Sequence, residues 1–375
     1  MSRATRLRSV ALGATIAAVA AAPSAAAAKA AFINRFNTIT NIASAVPVSG
    51  PAAGDVNPYG VSVVPSTTGK LVRGNVLVSN FNNSQNQQGT GSSIVQISPG
   101  GKQKVFAVVP PATATPATGL TTALVALQNG DVVVGSLPAP GGDNTQATAG
   151  ALTVLDSHGN VLKNITAKDI NGPWDMTADD DGDHVTLFVT NVLNGTVASG
   201  QDNPVNGGTV IRLQLKFPYG PGYPIVGDND VIAKGFPAEL DPGALVIGPT
   251  GVGLGAGDTL YVADSVNSRI AAIPNASTRE KAFPNGGNTV SQGNALNDPL
   301  GLTIAPNGDI VTANGGDGNL VETTPGGNQL AVKTLVPDGA GDLFGITLAP
   351  WASGLYFVND IGSPDPAANS LELLH

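Results

Sequence analysis

The sequence predicts an all-β chain: a six-bladed β-propeller of four-stranded blades, with an N-terminal strand closing the last blade. Three observations predict it. One motif recurs six times, each copy is followed by further short runs of alternating apolar residues, and the last copy lacks its final run at the C-terminus while a solitary run stands near the N-terminus. Four-stranded units that cannot bury their own faces do so by stacking radially, which leaves only short sheet edges. A β-sandwich with additional domains is the alternative arrangement.

Residues 1–28 stand apart from the repeats. Arg3, Arg6 and Arg8 precede an apolar run from Val10 to Ala22, followed by small residues ending at Ala28. A basic head, a short apolar middle and a small-residue exit describe a signal peptide, and the run is shorter than the ~20 residues of a membrane span. The remainder, 29–375, reads as one propeller domain of an exported protein, periplasmic or extracellular. Losing the leader takes the formal charge from −9 to −12, a poor match for nucleic acid or an anionic membrane surface. The chain has no Cys, so its stability must come from packing rather than disulfides.

The first element of the domain is the solitary run 31-AFINRFNTITNI-42. The motif then follows: glycine or its equivalent, an alternating strand, a tight turn, and a second strand ending in Asn, Asp or Ser. First strands begin at 60-GVSVVP, 119-GLTTALVAL, 175-DMTAD, 243-GALVIGP, 301-GLTIAP and 345-GITLAP. Second strands are 75-NVLVSN, 131-DVVVGS, 185-VTLFVTN, 259-TLYVAD, 309-DIVTAN and 355-LYFVND. Third runs include 93-SIVQIS and 268-SRIAAI, and fourth runs 103-QKVFAVV-109 and 328-NQLAVKTLV-336. Period-2 alternation between Asn-Gly, Pro-Gly-Gly and His-Gly-Asn turns is the pattern of short antiparallel strands. The blades start near 57, 116, 171, 241, 297 and 341. The longest interval, in the third blade, contains the insertion 216-KFPYGPGYPIVGDN-229.

Unit four, 259-TLYVADSVNSRI-270, resembles the core of an NHL repeat, and 58-PYG-60 and 299-PLG-301 resemble its Pro-x-Gly entry. The resemblance extends over nearly all of 57–375 and implies a six-bladed propeller distantly similar to gluconolactonase/SMP-30-like and streptogramin-lyase-like proteins. It implies little about chemistry, because such propellers serve as sensors, scaffolds, lactonases and lyases.

In propellers of this kind the residue before the glycine-equivalent position points into the channel mouth. That ring reads Tyr59, Thr118, Trp174, Pro242, Leu300 and Phe344. Its aromatic members could stack on a small molecule, a sugar ring or a peptide side chain, or they could simply plug the channel. We take Tyr59, Thr118, Trp174, Leu300 and Phe344 as the candidate ligand-binding set. The loops 81–91, 137–148 and 192–206, long and rich in Asn and Gln, would add polar selectivity.

The resemblance also implies where a divalent cation would sit in a lactonase-like enzyme, at mouth positions occupied by Glu, Asn and Asp. The ring here offers no carboxylate, whereas Ca²⁺ needs several converging oxygens. No metal or cofactor is therefore assigned. A Ca²⁺ site would require Asp175, Asp241, Asp298 or Asp342, each displaced from the ring, to turn inward. His158, His184 and His375 fall on the opposite face, so a lyase-like base or a Ser-His-Asp triad finds no candidate. The run 179-DDDGD-183 reads as a hairpin turn; it lacks the distal Glu of an EF-hand loop. The segment 251-GVGLGAG-257 has no following helix to cradle a phosphate. The residues favour a scaffold that binds a small molecule, a neutral carbohydrate or a peptide or protein at its channel face over an enzyme. A metal-dependent lactonase, hydrolase or lyase is the alternative, and a structural envelope or matrix protein a third reading.

Overall fold

The computed structural model describes residues 30–112, 117–218, 220–360 and 368–375. The expected leader, 1–28, and the expected start of the second blade near 116 lie outside them. Six antiparallel sheets form a six-bladed propeller; five are four-stranded and the third blade has five strands. The inner strands, in blade order, are Val56–Val63, Leu120–Ala126, Pro173–Asp180, Pro249–Gly255, Pro299–Ile304 and Leu343–Leu348. Each packs against the next, and the sixth packs against the first.

Closure follows the expected route. Ile39–Ser44 forms the outer strand of blade 6, pairing with Ser370–Leu374 in a register that matches Ile39 with Leu374 and Ser44 with Ser370. The N-terminal segment is held a second time on the neighbouring blade. The carboxylate of Glu322, 0% exposed, accepts the N–H groups of Phe32 at 2.7 Å and Ile33 at 2.8 Å. Phe32, Ile33 and Phe36 enter the apolar core between blades 5 and 6.

The apolar residues sort into similar cores between successive blades, for example Leu152, Val154, Leu187 and Leu213 between blades 2 and 3. Burial of this area, at about 25 cal/mol per Å², is what drives ring closure. Packing is close at the axis. Each inner strand begins with a break in register against its partner, as at Pro58/Gly60, Pro299/Gly301 and Leu343/Ile346. At this level a Cβ on Gly301 would fall on the carbonyl oxygen of Phe344, and one on Gly345 on that of Tyr59. Glycine recurs there because neighbouring backbones touch.

The third and fourth blades differ from the expected boundaries. The segment read as the fourth blade's first strand, 243–249, instead contributes Leu245–Ile247, a fifth strand hairpinned against Glu239–Asp241 of blade 3. The fourth inner strand starts at Pro249. Both segments carry a glycine and alternating apolar residues, so alternation alone does not separate them. The Pro-x-Gly entry, also present as 249-PTG-251, does.

Candidate functional site

The second-strand pairings define one register level around the axis. Pro58 faces Asn80, Leu120 faces Ser136, Pro173 faces Asn191, Pro249 faces Asp264, Pro299 faces Asn314 and Leu343 faces Asn359. The residues that follow form the ring: Tyr59, Thr121, Trp174, Thr250, Leu300 and Phe344. Tyr59, Trp174, Leu300 and Phe344 thus come together as read from the sequence. Thr118 lies outside the ring, on the connection from blade 1, where its hydroxyl donates to Val109 O at 3.3 Å. Pro242 is the turn of the added hairpin. Blade 2 misleads because its register irregularity spans Leu120 to Leu124, which moves the ring position beyond the glycine.

These side chains fill the channel. The Tyr59 ring stacks on Phe344 at 4.1 Å and on Phe81 at 4.4 Å, with Trp174 tilted beside it at 5.9 Å. Tyr59, Trp174, Leu300 and Phe344 are each 1% exposed. The hairpin at 239–247 seals them. Trp174 Nε1 donates to Val246 O at 2.9 Å, and Leu240, Leu245 and Val246 join the same apolar cluster. Gln88, from the first blade's long loop, donates from Nε2 to Pro242 O at 3.0 Å and Gly243 O at 2.9 Å, tying down the hairpin tip.

Around this seal the electrostatics are acidic. Burial, then Asp241 and Glu239, push the Asp298 carboxyl up to about 7. Burial, with Asp360, Asp241 and Asp298 nearby, raises the Tyr59 phenol well above its usual range. Asp241 is engaged in the hairpin turn, accepting Gly243 N at 2.7 Å and Ala244 N at 2.6 Å. Burial also raises Asp342. Among the described residues no three His, Asp or Glu side chains converge as metal ligands.

Beside the seal, the three long loops form a cleft of about 460 Å³ lined by Asn86, Gln87, Gln88, Asp143, Asn144 and Gln201. Gln201 Nε2 donates to Asn144 Oδ1 at 2.7 Å across blades, and Asn83 Nδ2 to Gln87 Oε1 at 2.8 Å. Asn and Gln side chains offer both donors and acceptors without charge.

Below the plug the channel reopens as a second cavity of about 260 Å³. Asp175 lies on its wall. Its Oδ1 accepts Met176 N at 2.8 Å and its Oδ2 accepts Val252 N of the next blade at 3.1 Å. Burial pushes this carboxyl up to about 7, against the pull of those N–H groups. The plug therefore parts Asp175 from Asp241, Asp298 and Asp342. The histidines are remote from both cavities. His375 Nε2 lies 2.9 Å from Thr40 Oγ1, His184 sits beside Asp181, and His158 is in the turn organised by Asp156.

Comparison with solved structures places the chain among six-bladed propellers. It aligns with the PQQ-bound aldose sugar dehydrogenase of Streptomyces coelicolor at a TM-score of 0.55 and 14% identity, covering 90% of this chain and 98% of that one. A gluconolactonase of Xanthomonas campestris aligns at 0.54 and 14%, covering 90% and 88%. The calcium-binding protein regucalcin of Agrobacterium tumefaciens aligns at 0.52 and 14%, covering 88% and 94%. No protein-family model matches the chain, and no curated protein matches it in sequence. At this identity the likeness is one of fold.

Proposed function

We propose that the protein is an exported binding scaffold whose loop face takes a neutral, hydrogen-bonding ligand, a carbohydrate or a peptide, in the amide-lined cleft beside the channel mouth. One observation carries this reading: the loops of blades 1, 2 and 3 converge to line a single cleft with amide groups. Tyr59, Trp174, Leu300 and Phe344 are its support, buried against the hairpin; direct stacking on a ligand would require the hairpin to lift. Trp174 is the joint between the two, through its bond to Val246.

The structural neighbours include proteins named as enzymes of sugars and lactones, which keeps a metal-dependent lactonase-like activity as the alternative. That reading needs acids converging on one point; the plug parts Asp175 from the other three, and Asp241 is engaged in the hairpin turn. A structural role without a small ligand is favoured by the closure of the mouth. Export rests on 1–28: described packing begins at Ala31, so cleavage near Ala28 would leave it intact. N-terminal sequencing of protein recovered outside the cytoplasm checks this.

The test is a screen of neutral oligosaccharides and uncharged peptides against the full chain, repeated with Gln88→Ala and Gln201→Ala. We expect at least one ligand whose affinity falls ~5–10-fold in the variants, about 1–1.4 kcal/mol for a lost hydrogen bond. Absence of binding, or binding indifferent to both changes, would refute the cleft. Stoichiometric divalent metal retained through dialysis would favour the enzyme.

A further inference from the structure

We propose that the cavity below the plug is a second binding site, for a small organic cation whose ammonium head meets the Asp175 carboxylate. It does not rest on the loop-face reading, since the plug separates the two. The cavity is lined by all six inner strands, and among the described residues Asp175 is the only ionisable side chain on its wall. Asp175 occupies the level at which blades 1, 4, 5 and 6 carry glycine, so its carboxylate stands out where neighbouring backbones otherwise meet. The N–H groups of Met176 and Val252 occupy two of its roughly four lone-pair positions and the Thr122 hydroxyl lies beside it as a third partner, leaving some acceptor capacity on the cavity side.

The rest of the wall complements a donor. Ser62, Thr122, Thr177, Thr303 and Thr347 bring hydroxyls. Each inner strand is also the terminal strand of its sheet, so backbone groups on its free edge face the axis. An ammonium has three donors and no acceptor, which suits carbonyls, hydroxyls and one carboxylate. A single carboxylate is too few for Ca²⁺, which draws on several charged oxygens. The inner strands of blades 6 and 1 continue outward into a groove whose apolar wall is Val63, Pro65, Leu348, Pro350 and Trp351, the last 91% exposed; Arg73 also lines it, so only the uncharged tail of a cation suits this rim. A cation with a short apolar tail therefore fits both the floor and the rim. With its proton held to about 7 by burial, Asp175 must release it to meet an ammonium, so binding near neutrality liberates protons.

The probe is n-hexylammonium, titrated calorimetrically into the full chain, with proton release followed in a pH-stat at pH 7. Hexan-1-ol, KCl and CaCl₂ are the comparisons. We expect saturable binding of the amine with release of a fraction of a proton, and weaker or no binding of the others. Asp175→Asn should weaken the amine at least tenfold. Thr303→Trp, which narrows the cavity without touching Asp175, should do the same while circular dichroism and Tm stay near those of the parent chain. If Asp175→Asn does not fold, Thr303→Trp decides. No saturable amine binding up to 50 mM, equal binding of hexan-1-ol, tighter binding of K⁺ or Ca²⁺, or unchanged amine affinity in a folded variant would each overturn the site.

Discussion

Asp131, Asp175 and Asp298 hold their protons to about pH 6, 7 and 7, each because burial penalises the charged form, against an ordinary value of 3.8. A carboxyl with a raised folded pKa binds its proton more tightly in the folded state than in the unfolded one. Its stabilising effect is full below about pH 4 and is lost as pH rises through 7. We therefore expect Tm to fall from pH 5.5 to pH 8, on the order of 5 °C, and Asp175→Asn with Asp298→Asn to flatten that slope. A Tm that rises over this interval would contradict the burial of these groups. Trp174→Phe should cost roughly 1–3 kcal/mol, since it leaves Val246 O without its donor and opens a void in the plug; denaturant unfolding measures it. Gly345→Ala, with no space beside Tyr59 O, should cost ~1–3 kcal/mol or more.

The hairpin at 239–247 and the segment at 31–44 act as units. The hairpin is held to the plug by Trp174 and to blade 1 by Gln88. Hydrogen exchange at Val246 should accelerate in Trp174→Phe while exchange in blade 5 stays unchanged. The N-terminal segment is held by Glu322, whose carboxylate also accepts Asn307 Nδ2 at 2.9 Å. Glu322→Ala strands two buried N–H groups and should cost about 2–4 kcal/mol, with faster exchange over 31–44 as its signature. The elements themselves were largely legible in the sequence. Strands follow from alternation, and turns such as 307-NG-308 follow from glycine's freedom at positive φ, here 87° at Gly308. Short Asx side chains at strand ends suggest bonds to the backbone of the following turn, but Asn80 instead bonds the Ser93 hydroxyl of the next strand and the Ala45 carbonyl of the N-terminal segment. The added hairpin was not legible as such, because its residues satisfy the same alternation as a first strand, and only pairing with Glu239–Asp241 tells them apart.

For the whole molecule, closure by Ile39–Ser44 turns six separate wedges into one ring. Deleting 30–44 should expose the edge at Ser370–Leu374 and uncover the core between blades 5 and 6, giving aggregation or a large loss of Tm. Size-exclusion chromatography and calorimetry report it, and an added peptide spanning 30–46 should restore part of the loss. A truncated chain as stable as the parent would show that the ring does not depend on this strand. The sequence by itself determined the number of blades, the strand order, the closing segment and four of the six ring residues. These are local facts, written in period-2 alternation, turn residues and a repeat that each blade carries within itself. Tertiary structure alone decided that the ring is a buried plug, that Thr121 and Thr250 complete it, that a hairpin from blade 3 seals the mouth, and that Asp175 faces a separate cavity. Those outcomes depend on how residues far apart in the chain share one axis, where a register shift of a residue or two exchanges lumen for wall and no single repeat records its neighbours.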